Sequence, residues 1–336
     1  MTMDFRSLPD LASRALGGAV VFANDELFAE KENLIKPGPA ERSDDFGHKG
    51  KVYDGWETRR RREPGSDHAI VRLAVPGRVR GVVVDTAYFA GNYPPYVSVE
   101  GAAVEGYPSP EEIDGWFPLL GKVEVKGDCE NAFELTGEAA DRRVTHVRLT
   151  IYPDGGVARF RVHGVASPDP ALLTGTVDLA ALENGGTITG CSDAFYGSAS
   201  QLLLPGRARS MGDGWENARR RDDGNDFVEV RLAGRGVVRR VELDTSYFVG
   251  NAPGWASLTG FGADAPADGV ALLPRTRLQP DTRHVFAVGG TPAEGVPAEG
   301  VPAEGVPAEG VPVESVRLDV FPDGGMARLR VWGELT

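Results

Sequence analysis

The chain has 336 residues, a length that suits two domains of ordinary size. It carries 36 basic and 49 acidic residues for a net charge of −13, which disfavours a broad grip on nucleic-acid phosphates or an anionic membrane surface. Hydrophobic content of 41% is that of a soluble globular protein, and 44 glycines with 24 prolines speak for many turns and against a helix bundle.

From the N-terminus, Met1 to Arg14 is charged and proline-bearing, without the apolar stretch of a secretory signal. No later segment approaches the roughly 18 consecutive apolar residues of a membrane span. Two distant cysteines, Cys129 and Cys191, suggest neither a disulfide framework nor a zinc site, so a reducing, cytoplasmic setting is expected. Helical spacing is confined to short pieces, Asp10 to Leu16 and Ala171 to Leu182. Trp56 to Arg62 reads as an extended segment, with Trp56, Thr58 and Arg60 on one side and Glu57, Arg59 and Arg61 on the other. Strands are expected at Ala69–Leu73, Val79–Asp85 and Tyr96–Glu100, between Gly/Pro/Asn-rich joints. Val147, Leu149 and Ile151, a Pro-Asp-Gly-Gly turn, then Phe160 and Val162 predict a β-hairpin with one wet face. Ser167-Pro-Asp-Pro170 marks a boundary.

Beyond it the chain repeats itself. Asp54-Gly-Trp-Glu57 returns as Asp213-Gly-Trp-Glu216, and Asp85-Thr-Ala-Tyr-Phe89 as Asp244-Thr-Ser-Tyr-Phe248, both displaced by 159. Tyr152-Pro-Asp-Gly-Gly156 returns as Phe321-Pro-Asp-Gly-Gly325, displaced by 169. The ten extra residues are ascribed to two surplus copies of the pentapeptide Val-Pro-Ala-Glu-Gly, repeated in tandem around 291–312 and read as a solvated loop expansion. The expected organisation is all-β, a tandem duplication of two jelly-roll β-sandwich domains: residues 1–166, a linker at 167–175, and residues 176–336 with the expanded loop.

Stability alone gives little reason to keep identical polar residues in the loops of both copies. The kept set is Asp54/Asp213, Glu57/Glu216, Arg60-Arg61/Arg219-Arg220, Asp85/Asp244 and Asn92/Asn251. Turn formation and Asp–Arg bracing remain the competing explanation. The copies diverge at Glu30-Lys-Glu-Asn33 against Ser198-Ala-Ser-Gln201 and at Thr58-Arg59 against Asn217-Ala218, so a single site would involve the first copy. Five scattered histidines give no ligand pair, and no metal or cofactor is expected. Neither a Gly-x-Ser-x-Gly elbow nor a nucleotide-binding glycine loop occurs, which leaves carboxylates and arginines as the chemical groups.

Phe22-Ala-Asn-Asp-Glu26, Lys31-Glu-Asn-Leu34, Asp54-Gly-Trp-Glu-Thr-Arg-Arg-Arg-Arg62, Asp85-Thr86, Gly91-Asn92 and the repeated Pro-Asp-Gly-Gly-x-Ala-Arg together resemble the allantoicase family, across both copies. The resemblance implies a galactose-binding-like double jelly roll and an oligomeric enzyme of purine breakdown that hydrolyses allantoate to ureidoglycolate and urea. Two departures stand out: Glu216-Asn217-Ala218 in the second copy, and His68 where the family usually has Trp.

Allantoate carries one carboxylate and two ureido groups on one carbon, which calls for an arginine fork and acceptors for amide N–H groups. On this basis Glu57, with Asp54, Glu32 or Asp85, is expected to share acid and base duties. Lys31, Asn33, Trp56, Arg59, Arg60, Arg61 and Asn92 are expected to bind substrate. A non-catalytic tandem module binding a small polar ligand or carbohydrate is the alternative.

Overall fold

The computed structural model describes residues 4–289 and 310–336. The chain divides between Pro168 and Asp169 into two compact units. The first contains strands β1 (Ala19–Ala23), β2 (Phe46–Gly47), β3 (Gly50–Lys51), β4 (Trp56–Glu57), β5 (Asp67–Asp85), β6 (Tyr96–Ala102), β7 (Phe117–Glu124), β8 (Glu130–Glu134), β9 (Arg143–Tyr152), β10 (Gly156–Val157) and β11 (Arg159–Ala166).

The organising element is β5. Two strands expected separately, Ala69–Leu73 and Val79–Asp85, are one strand of 19 residues. Its register shifts between Arg72 and Gly77, around Pro76, which has no N–H to give to a ladder. Before the shift β5 lies between β1 and β9 in the layer β1-β5-β9-β6-β7; after it, β5 keeps β9 only at Gly77-Arg78 and pairs with β11 and β8. One strand thus serves two layers. Alternating side chains of β5 (Ala69, Val71, Val79, Val82), β9 (Val147, Leu149, Ile151) and β11 (Phe160, Val162) supply a fully buried core.

Three expectations are corrected. Strands β9 and β11 do not form a hairpin with each other, because the Pro-Asp-Gly-Gly segment crosses between layers and Gly156-Val157 pairs with Trp56-Glu57 instead. The Asp10–Leu16 helix does not form: the Asp10 carboxylate accepts from Ala12 N and Val162 N and holds the segment in turns against β11. Over Ala171–Leu182 a short 3-10 turn, the two-residue strand Val177–Asp178 and a further turn replace the helix, with Asp178 accepting from Ala180 N and Val331 N.

The second unit repeats the plan around Asp226–Asp244, which pairs with Thr187–Cys191, Pro312–Phe321, Arg283–Ala287 and Arg328–Leu335. Strand positions refine the length differences. The offset between units is 168 at β1, 159 at β4 to β6, 153 at β7 and β8, and 169 at β9. The second unit is therefore nine residues shorter before β4 and six shorter before β7, then sixteen longer before its counterpart of β9. The ten-residue difference is a net value, not two pentapeptides alone. Most of the Val-Pro-Ala-Glu-Gly tract lies outside the described residues, but the strands flanking it are anchored on one strand, Ala287 opposite Arg240 and Pro312 opposite Val237.

Phe89 is buried beneath the crossing segment and stacks on Tyr53 at 4.9 Å. A Cβ on Gly156 would lie 2.1 Å from the Phe89 ring, so this crossing admits no side chain there. Gly156→Ala is expected to destabilise the protein by about 1–3 kcal/mol, the usual cost of overpacking, as read from urea unfolding; a neutral substitution would show that the crossing can shift.

Candidate functional site

The crossing segment builds the site. Glu57 is bonded along both edges of its short strand: it pairs with Gly156 of β10 on one side and with Ala29 on the other, where Glu57 N donates to Ala29 O at 3.2 Å and Phe28 N and Ala29 N donate to Glu57 O. Its side chain is folded inward and only 9% exposed. Asn92 Nδ2 donates to Glu57 Oε1 at 2.7 Å, and Asn92 O accepts from Gly156 N at 2.8 Å, closing a ring of contacts among Glu57, Asn92 and Gly156. Burial pushes the Glu57 carboxyl above its ordinary value, opposed by the Asn92 hydrogen bond.

A second hub lies at Asp54. Its carboxylate accepts from Lys36 Nζ and Glu41 N, each at 2.9 Å, and from Arg159 Nη2. Burial raises the Asp54 pKa, but these donors outweigh it and bring it from 3.8 down to about 2. Arg159, nearly fully buried, also donates to the carbonyls of Asn33, Pro39, Asp54 and Ala158 and ties the loop after Ile35 to β11. Above this hub opens a cavity of 780 Å³ lined by Asn33, Lys36, Lys49, Tyr53, Asp54 and Arg159 among others. Its wall includes the β2–β3 hairpin, within the stretch where the first unit is nine residues longer than the second. Phe28 and Ala29 line this cavity and also bond Glu57, whereas Glu57 does not line it.

The expected site residues therefore separate. Glu57 and Asn92 meet directly, and Asn33 and Asp54 share the cavity, with Asn33 Nδ2 donating to Gly55 O at 2.9 Å. Trp56 is corrected to a core residue: it is 0% exposed and its Nε1 donates to Asp25 O, so no face is left for substrate. Arg59 is paired with Asp25, and Arg61 with the buried Asp67 at 2.9 Å while its N–H donates to Asp154. Arg60 remains exposed, without a side-chain ion pair or hydrogen bond among the described residues. Asp85 caps the turn that follows it, accepting from Ala87 N. Lys31, largely covered, pairs with the half-exposed Glu32 at 2.9 Å and with Glu26 at 3.5 Å. The proposed alternation across Trp56–Arg62 fails because Trp56, Glu57 and Thr58 are all buried.

Sequence reasoning missed Arg159, Lys36 and Asp25. Arg159 had a signal, since it closes the repeated Pro-Asp-Gly-Gly-x-Ala-Arg motif; Lys36 and Asp25 owe their roles to loop closure, which leaves no mark in spacing. Among the described residues no three His, Cys, Asp or Glu side chains are grouped to hold a metal ion.

The family model described as Allantoicase repeat matches residues 9–167 and 177–336. The chain is 58% identical to a protein named Probable allantoicase from Nocardia farcinica, covering 98% of this chain and 95% of that one. It is 38% identical to a protein named Allantoicase from Dictyostelium discoideum, covering 96% and 86%. The crystal structure of allantoicase from Saccharomyces cerevisiae superposes with a TM-score of 0.79 at 33% identity, covering 98% of this chain and 96% of that one.

The Asp54 hub has a pH signature. A carboxyl depressed from 3.8 to about 2 contributes stability that is present above pH ~4 and lost as pH falls toward 2. Asp54→Asn is expected to lower stability at pH 7 by about 1.5–3 kcal/mol, the range for a charge-assisted hydrogen bond. In thermal melts the gap from wild type should narrow between pH ~4 and ~2; a gap constant across that range would contradict the assignment.

Proposed function

The chain belongs to the allantoicase family and hydrolyses allantoate to ureidoglycolate and urea; we propose that the reaction is carried out in the first unit by Glu57, acting first as acid and then as base. The observation that carries this reading is a buried carboxyl whose ordinary value is raised by its surroundings, in a segment of strand bonded along both edges. A neutral Glu57 donates its proton to the departing ureido nitrogen. The lone pair of the second ureido nitrogen expels urea, water adds at the vacated carbon, and the Glu57 carboxylate takes the surplus proton. One carboxyl suffices for both steps. No carboxylate figures among the influences on Glu57, and Asp54, Glu32 and Asp85 are each engaged elsewhere.

Arg60 is assigned the substrate carboxylate, because its neighbours Arg59 and Arg61 are already committed to Asp25 and Asp67. A second reading seats the substrate in the 780 Å³ cavity, with Lys49 as the cation; it is favoured by the extension that helps wall this cavity in the first unit. The non-catalytic module is not favoured, given the names of the relatives. The free thiols Cys129 and Cys191 support a reducing cytoplasmic setting, and the family resemblance supports a homo-oligomer, which light scattering would read directly.

Glu57→Gln is expected to reduce kcat by at least ~100-fold. An acid with a raised folded-state pKa loses stability as pH rises through that value, and a neutral amide escapes this loss. The variant should therefore melt no lower than wild type at pH 7 while being nearly inactive; full activity in the folded variant removes Glu57 from the mechanism. Arg60→Ala should raise KM roughly 10- to 150-fold, the equivalent of one charge-assisted hydrogen bond, with Lys49→Ala near wild type. The reverse pattern in steady-state assays selects the cavity.

A further inference from the structure

Glu57 has two carboxyl oxygens in different surroundings. Oε1 accepts the Asn92 amide at 2.7 Å, while Oε2 has no hydrogen-bond partner among the described residues and is not among the buried unpartnered atoms. An oxygen that receives an N–H donor is a poor place for a proton, because two hydrogens would then meet at close range. We propose that Asn92, expected from the sequence to touch substrate, is instead a positioning residue for the hydrolysis: its amide reserves Oε1 as acceptor, directs the working proton to Oε2 and fixes the carboxyl plane. This rests on Glu57 being the acid-base group.

The framework holding Asn92 fits that task. Its own carbonyl accepts from Gly156 N at 2.8 Å, and a Cβ on Gly155 would fall 2.8 Å from the same oxygen, so the crossing segment lies close against this residue. Asn92 and the Glu57 strand therefore share a support in β10, and their separation does not depend on side-chain rotamers alone.

The charged groups on the elements packed against Glu57 are Asp25, Glu26, Glu30 and Lys31, flanking Phe28-Ala29, Asp54 and Arg59 to Arg61, on either side of its own strand, and Asp154 and Arg159, on either side of Gly156-Val157. None contributes to its upward shift. Burial raises it and the Asn92 bond, which favours the carboxylate, lowers it. Losing the amide should raise the Glu57 pKa further, so the pH above which the acid is spent moves upward.

The second unit contains the matched control. Asn251 Nδ2 donates to Glu216 Oε1 at 2.6 Å, and Gly325 N donates to Asn251 O at 2.7 Å, so the same bond can be deleted in a unit given no catalytic part. The test is a set of pH–rate profiles for wild type, Asn92→Ala, Asn92→Asp and Asn251→Ala, with thermal melts of each. Asn92→Ala should lose ~10- to 100-fold in kcat with KM within about twofold. Its alkaline limb should move to higher pH. Asn92→Asp keeps the side-chain shape but puts a second carboxyl beside Glu57, and its limb should move at least as far. Asn251→Ala should superimpose on wild type. An unmoved limb in both Asn92 variants, or an equal loss in Asn251→Ala, overturns the proposal. If Glu57→Gln abolishes turnover while the Asn92 variants keep the wild-type profile, only the positioning role fails; if Glu57→Gln is active, the underlying reading fails first.

Discussion

Three short stretches of chain, Phe28-Ala29, Trp56-Glu57 and Gly156-Val157, share backbone hydrogen bonds, and the site depends on that arrangement. Each stretch is too short to persist alone, since an isolated pair of strands is marginal in water. They persist because each end is built into something larger: Trp56 into the core, the second stretch into the passage from β9 to β11, and the first into the loop leaving β1. Removing a carboxyl from water is unfavourable, and only a rigid surround keeps it there. The rigidity here is mainly backbone, which leaves the side chain of Glu57 available for chemistry.

Duplication sharpens the distinction between structural and functional polar groups. Trp56 and Trp215 both donate to an aspartate carbonyl at 2.7 Å, Arg61 and Arg220 both pair with a buried aspartate, and Asp85 and Asp244 both cap the turn that follows them. These repeat because the framework needs them twice. The Glu57–Asn92 bond also recurs, as Glu216–Asn251, so what separates the units is the surround: the longer stretch bearing the β2–β3 hairpin, Arg59 against Ala218, and Tyr93 against Ala252. Repetition of polar loop residues, taken from the sequence as a sign of chemistry, was for several of them a sign of bracing.

The all-β class, the duplication and most strands were legible in the sequence because they rest on alternation and on recurring blocks, which are local patterns. Ala69–Leu73 and Val79–Asp85 were legible as strands but not as one strand, because a proline reads as a stop where it here marks a bend shared by two layers. The hairpin expected at Pro-Asp-Gly-Gly failed for a related reason: turn chemistry announces a reversal and does not say which strand receives the chain afterwards. Of the candidate site, Glu57 and Asn92 were named but their contact was not, since 35 residues separate them. Trp56 was misplaced because a large aromatic beside arginines looks the same in one dimension whether it faces solvent or core.

The tract between Ala287 and Pro312 begins and ends on strands held by one common neighbour, so the distance to be bridged is set by the sheet and not by the tract. Closing a longer connection between fixed posts costs only about 0.6 kcal/mol for each doubling of its length. The number of pentapeptides is thereby uncoupled from folding, and this joint can accept foreign sequence, an affinity tag or a reporter peptide, while the enzyme's architecture stays as it is.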